Sequence, residues 1–96
     1  MLYNRRMDKK TAKQLERHFK GAASHWRIDI LKLVSEKKGI TVENITAQLK
    51  GNIKTISQHT RALVHAGLLN KKYQGRTVEH ELSPYGKKFS DFIKTF

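Results

Sequence analysis

The sequence contains no cysteine. Disulfides, thiolate metal sites and cysteine nucleophiles are therefore excluded, and a reducing cytoplasmic setting fits. Proline occurs once and glycine six times, and no stretch rich in Gly, Ser or Pro could act as a linker. No repeat or low-complexity segment divides the chain, so its 96 residues are expected to form one domain, 1–96. A core of that size is marginal, and a partner surface often adds to it. No apolar run of about 18 residues occurs, so no membrane partner of the spanning kind is expected. The opening "MLYNRRMDKK" has no following apolar core and does not read as a secretory signal. Acids are scarce too: eight Asp and Glu stand against 20 Lys and Arg, a formal charge of +12. Such an excess costs self-repulsion and usually reflects a polyanionic partner. Nucleic acid is the first candidate and an anionic membrane surface the second. A merely basic surface is the plain alternative.

What is present has mostly helical spacing. Residues 8–20 place Ala12, Leu15 and Phe19 on one face of a first helix. Ser24 can cap a second, "HWRIDILKLVSEKK", in which Ile28, Leu31 and Val34 repeat, and Gly39 ends it. Thr41 caps a short third helix with Val42, Ile45 and Leu49 inward. Gly51 breaks that helix, and Asn52 caps a fourth from Ile53 to about Ala66. After Gly67 the period becomes two. "LLNKKYQ" and "TVEHELS" read as a hairpin joined by Gly75-Arg76, with Val78, His80 and Leu82 on one face and Glu79 and Glu81 exposed on the other. Ser83-Pro84 starts a last helix carrying Tyr85, Phe89, Phe92, Ile93 and Phe96 on one stripe. The predicted fold is mainly α with a small β-hairpin, a winged helix-turn-helix in the order α-α-α-α-β-β-α. Residues 1–7 read as a flexible basic tail.

The fourth helix, "NIKTISQHTRALVH", poses the functional question. Ile56, Thr60, Leu63 and Val64 share one side, while Lys54, Gln58, Arg61 and His65 share the other, with Ser57 between. An ordinary surface helix mixes acids into such a row, and this row has none. Two short helices around a glycine-containing turn read as a helix-turn-helix. Its second helix fits a major groove about 12 Å wide, where Arg and Lys suit guanine, Gln suits adenine and Ser serves either. Double-stranded DNA is thus the expected partner.

The run "NIKTISQHTRALVHAGLLNKKYQGRTVEHEL" resembles the recognition helix and wing of ArsR-type winged-helix regulators. The resemblance rests on Thr55-Ile56-Ser57, His59, Leu63, Ala66-Gly67-Leu68, Gly75-Arg76 and Leu82, with Arg27 and Ile30-Leu31 in "SHWRIDILKLV". MarR and PadR relatives share part of the pattern, including "LSPYGKKFSDFI". The resemblance implies a homodimer joined through first and last helices, a palindromic operator and repression of transcription. The outward row and the basic hairpin give the expected DNA contacts: Lys54, Thr55, Ser57, Gln58 and Arg61 in the major groove, and Lys71, Lys72, Gln74 and Arg76 of the wing on phosphates or the adjacent minor groove. Two departures bear on metal sensing. Residues 42–50 hold no Cys or His, and residues 84–96 offer only Asp91. No metal or other cofactor is therefore expected. Thr60 also stands where the family pattern expects Leu.

Other constellations have simpler readings. The five histidines show no zinc-ligand spacing, so His59 and His80 are expected to be packed and hydrogen-bonded. Glu79 and Glu81 follow from strand alternation. No phosphate loop or nucleophile elbow occurs, so no enzyme is expected. The dimerisation residues expected are Leu15, Phe19, Phe92, Ile93 and Phe96, with Tyr85 and Phe89 in the core. Arg5, Arg6, Lys9 and Lys10 read as a basic arm or as ordinary solvated tail charges. Two other classes share the features: an architectural, nucleoid-associated protein coating DNA without sequence preference, and a protein-interaction winged helix.

Overall fold

The computed structural model describes residues 9–96; the tail 1–7 and its Arg5 and Arg6 lie outside the described residues. The elements run α1 (Ala12–Ala22), α2 (His25–Glu36), β1 (Ile40–Thr41), α3 (Val42–Leu49), α4 (Ile53–His65), β2 (Leu69–Gln74), β3 (Thr77–Leu82) and α5 (Pro84–Ile93). This is the winged helix-turn-helix expected, with one added strand. β1 pairs antiparallel with β3, setting Ile40 opposite His80 and Thr41 opposite Glu79. The sheet is three-stranded in the order β1-β3-β2, so the hairpin alone is not the whole sheet. Two residues are too short for any period to show.

Helix starts follow local chemistry. α1 begins later than the apolar spacing suggests, because Thr11 and Gln14 form a reciprocal capping box. Ser24 occupies the N-cap of α2 but makes no capping bond with its side chain. Thr41, Asn52 and Ser83 do cap α3, α4 and α5, accepting from the backbone N–H groups of Asn44, of Lys54 and Thr55, and of Gly86. At the turn between α3 and α4 the left-handed residue is Lys50, at φ 54°, rather than Gly51.

The core gathers under α2. Ile30, Leu31, Leu33 and Val34 pack with Ile40, Ile45, Ile56, Leu63, Leu68 and Leu69, all buried. Each such side chain contributes about 1.5–3 kcal/mol. The buried arc of α2 is centred near Ile30 and Val34, so Ile28 falls at its edge and is exposed, against expectation. Thr60 is buried, and its hydroxyl donates to the Ile56 carbonyl at 2.7 Å. The smaller side chain therefore brings no unsatisfied group into the core.

α5 starts against the exit of α4. Ser83 Oγ donates to the Gly67 carbonyl at 2.6 Å and accepts from Gly86 N at 2.9 Å. Phe89 packs against the core as expected. Tyr85 does not: it stays at the rim, 40% exposed, with its ring stacked on His18 at 4.9 Å. Gly86 and Ser90 are the buried residues of α5, which leaves the larger tyrosine outside their line of closest approach.

Candidate nucleic-acid interface

α4 presents two chemically opposite faces. Ile56, Thr60 and Leu63 are buried, while Lys54, Gln58, Arg61 and His65 are exposed and Thr55 and Ser57 half-buried. The polar row faces away from the core along the helix. Its N-terminal end is fixed by Asn52, whose Oδ1 accepts from Lys54 N at 2.8 Å and Thr55 N at 3.2 Å.

Three tethers hold this helix at its other side. Arg27 Nε donates to His59 Nδ1 at 3.0 Å, and the same guanidinium donates to the Gly21 carbonyl at 3.2 Å. One side chain of α2 thus joins the end of α1 to the middle of α4. Arg17 donates to the His65 carbonyl. His18 Nδ1 lies 2.8 Å from the Ala66 carbonyl, so that nitrogen carries the proton. A cation and a ring N–H therefore satisfy the last carbonyls of α4, where the helix dipole favours positive charge. The expectation that His59 and His80 are packed and hydrogen-bonded holds in geometry, and His18 joins them; His80 Nδ1 lies 3.3 Å from the Ile40 carbonyl. Burial, then the neighbouring Arg27 and His25, hold the His59 pKa below its ordinary value. Burial does the same for His80, partly offset by its bond to Ile40.

The wing divides the predicted basic residues. Lys71 pairs across the ladder with His80, and Tyr73 with Val78. Lys72 pairs with Glu79, and Gln74 with Thr77, on the opposite face. Lys71 accordingly lines a shallow surface cleft with Gln58, Arg61 and His65 of α4. Lys72 instead lines another with Lys38, Gly39 and Glu79. Gln74 and Arg76 flank the Gly75 turn and are exposed. The structure therefore brings Lys71 to the α4 row and separates Lys72 from it. Two residues of this surface were not among the predicted contacts. His65 ends the α4 row, and Tyr73 is 69% exposed on the Lys71 side of the wing; the period-two count from Leu69 was the available signal for Tyr73. The wing acids are less exposed than expected. Glu79 and Glu81 are half-buried, and Glu81 pairs with Lys38 at 3.7 Å.

A sequence profile described as the bacterial regulatory protein ArsR family matches residues 24–71, half of the chain. The chain belongs to the ArsR family. Solved structures agree in fold. HlyU from Vibrio cholerae N16961 is 23% identical over 88% of this chain and 92% of that one, with a TM-score of 0.79. A homodimeric winged helix-turn-helix DNA-binding domain from Mycobacterium bovis is 21% identical over 93% and 88%, at 0.78. The transcriptional repressor PagR of Bacillus anthracis is 21% identical over 84% and 93%, at 0.77. No curated protein matched the sequence. As an ArsR-family regulator the chain carries a DNA-binding helix-turn-helix, formed by α3 and α4.

The remaining predicted residues of this ArsR-family chain lie on a different surface. Leu15 and Phe19 of α1 are 43% and 55% exposed, and Phe92 and Phe96 are 51% and 94% exposed. Ile93 is half-buried. Phe19 meets Phe89 edge-on at 5.0 Å, so α1 and α5 already form one apolar face. Among the described residues no group of three or more His, Cys, Asp or Glu could hold a metal ion. None of their helices is long and apolar enough to cross a membrane.

Proposed function

We propose that this chain is a dimeric repressor that binds a two-fold symmetric operator, with α4 in the major groove and the wing on the flanking backbone. The observation that carries the proposal is the acid-free outward row of α4, continued by Lys71 at the base of the wing. Lys54, Thr55, Ser57, Gln58 and Arg61 read base edges or adjacent phosphates; Lys71, Gln74 and Arg76 bind backbone, and Lys72 contributes less because Glu79 sits opposite. The Mycobacterium bovis domain, homodimeric in solution, and the repressor PagR support the dimer and the direction of control. Leu15, Phe19, Phe92, Ile93 and Phe96 supply the dimer face. Neither thiolates on α3 nor a His-rich α5 is present, so regulation does not run through a metal on either helix. The protein works on cytoplasmic, nucleoid DNA and catalyses no reaction.

Selection of bound sequences from a random DNA pool tests this reading. A palindromic consensus is the expected result. An unenriched pool bound with strong salt dependence would instead favour an architectural DNA-coating role.

A further inference from the structure

The face shared by α1 and α5 is concave and has two unlike ends. Tyr85, Phe89 and Phe92 follow one another along one side of α5, and Leu15 and Phe19 do so on α1. Phe19 meets Phe89, and together these side chains line a groove of about 390 Å³. Leu15, Phe19, Tyr85 and Phe92 are each between 40% and 55% exposed, so the groove is open to a ligand.

Its charge gathers at the Tyr85 end. Lys10 Nζ lies 4.3 Å from the centre of the Tyr85 ring and Lys88 Nζ lies 5.8 Å from it. Among the described residues no acid lines the groove, and neither ammonium is paired with a carboxylate. The clefts beside Lys94 and beside Lys72 both contain acids. Two cations at one ring repel each other, and an anion between them removes that cost. A phosphate would use the lysines and leave the apolar walls wet. A second copy of the chain would cover the walls but bring further lysines to the same face. An acyl chain ending in one carboxylate satisfies both ends. Its head sits between Lys10 and Lys88, and its chain runs past Phe19 and Phe89 to Phe92, about 10 Å along α5. A groove walled by a helix on each side takes a single chain rather than a lipid surface.

We infer that this groove is a binding site for a free medium-chain fatty acid. The site does not rest on the operator assignment. It does share Leu15, Phe19 and Phe92 with the proposed dimer face, so where that reading holds a bound chain competes with the second subunit.

The test titrates isotopically labelled, DNA-free protein with decanoate, octanoate, decanol and decylamine, followed by NMR. Decanoate should shift the Leu15, Phe19 and Phe92 signals saturably, one molecule per chain, at a Kd below about 0.1 mM. Octanoate, two methylenes shorter, should bind about fivefold or more weakly still. Decanol and decylamine should each bind at least about tenfold more weakly than decanoate. Lys10→Gln combined with Lys88→Gln leaves the core untouched; it should weaken decanoate about tenfold and decanol hardly at all. Phe19→Ser, at a position 55% exposed, should weaken both. Unmoved signals, equal binding of decylamine, or full decanoate affinity in the folded double-lysine variant would overturn the proposal. So would many molecules bound per chain, or a response to phosphatidylglycerol vesicles without one to decanoate, which marks a membrane face. Sedimentation with and without saturating decanoate separates this site from the dimer reading. A dimer that decanoate splits is expected. A chain that binds decanoate while staying monomeric, or staying dimeric, supports the site and removes the dimer from this face.

Discussion

At the scale of single residues, closeness of backbone decides more than side-chain chemistry does. A Cβ added at Gly21 would lie 2.2 Å from the Ala66 Cβ, and one at Gly86 would lie 1.9 Å from the Leu68 carbonyl oxygen. These two glycines let α1 and α5 approach the end of α4, where Arg17, His18 and Ser83 make their bonds. Gly21→Ala should therefore cost about 1–3 kcal/mol, the usual range for overpacking, and Gly86→Ala at least as much because backbone cannot swing aside. Urea denaturation reads both; a loss within a few tenths of a kcal/mol for either would mean the helices slide apart freely. Histidine chemistry sets a second expectation at this scale. His59 and His80 have folded pKa values below the ordinary 6.5. In the window beneath 6.5 the unfolded chain binds more protons than the folded one, so stability rises with pH there. Full stability is present above that value and is lost as the pH falls through it. For His59 burial is the larger cause and Arg27 adds to it: its Nδ1 accepts from Arg27, and protonation would place two cations together. Thermal unfolding followed across mildly acidic pH should show a falling Tm, with a shallower fall in His59→Gln. A Tm that rises on acidification would contradict the sign.

At the scale of elements, the chain shows which features of sequence are self-announcing. α3 and α4 were legible because Thr41 and Asn52 are capping residues followed by clear apolar spacing. β2 and β3 were legible from their alternation. β1 was not, because two residues carry no period and its existence depends on a partner 40 residues away, Ile40 against His80. The first turn of α1 was misjudged because charge masked the Thr11–Gln14 box. The polar row of α4 was legible as a face, but the split of the wing needed the register. Only the pairing of Lys71 with His80 and of Lys72 with Glu79 shows that these neighbours point to opposite sides. That split gives a sharp expectation about binding. Gln58→Ala and Arg61→Ala should each cost roughly 1–3 kcal/mol on the selected operator and much less on random DNA. Lys71→Ala should weaken binding to all sequences and reduce the slope of log K against log salt by about one, as one lost phosphate contact does. Lys72→Ala should change that slope less. Salt titrations of the two lysine variants on one DNA decide it, and equal effects would mean that Glu79 does not hold Lys72 back.

At the scale of the whole molecule, an apolar face and a large net charge oppose each other. Leu15 and Phe19 on α1, Phe92 on α5 and Phe96 just after it stand exposed, while the chain carries +12. Burying such side chains between two copies contributes roughly 1.5–3 kcal/mol each. Repulsion between two basic subunits works against this but is screened over about 10 Å at moderate salt. Association of free protein should therefore strengthen as salt rises, whereas binding to DNA should weaken. The two opposite dependences separate the dimer face from the DNA face in one solution. The proposed operator gives a further reason for the pairing: one α4 would read one short half-site, and a two-fold partner would read a second about 10 bp along the same side of the duplex. Phe92→Glu combined with Phe96→Glu places charge on the face without touching the buried core. The variant should fold, sediment as a monomer, keep weak salt-sensitive DNA binding and lose its preference for a symmetric over a single half-site. Sedimentation equilibrium of the unaltered protein comes first, because a chain that stays monomeric at tens of micromolar in moderate salt has no dimer for the substitutions to break.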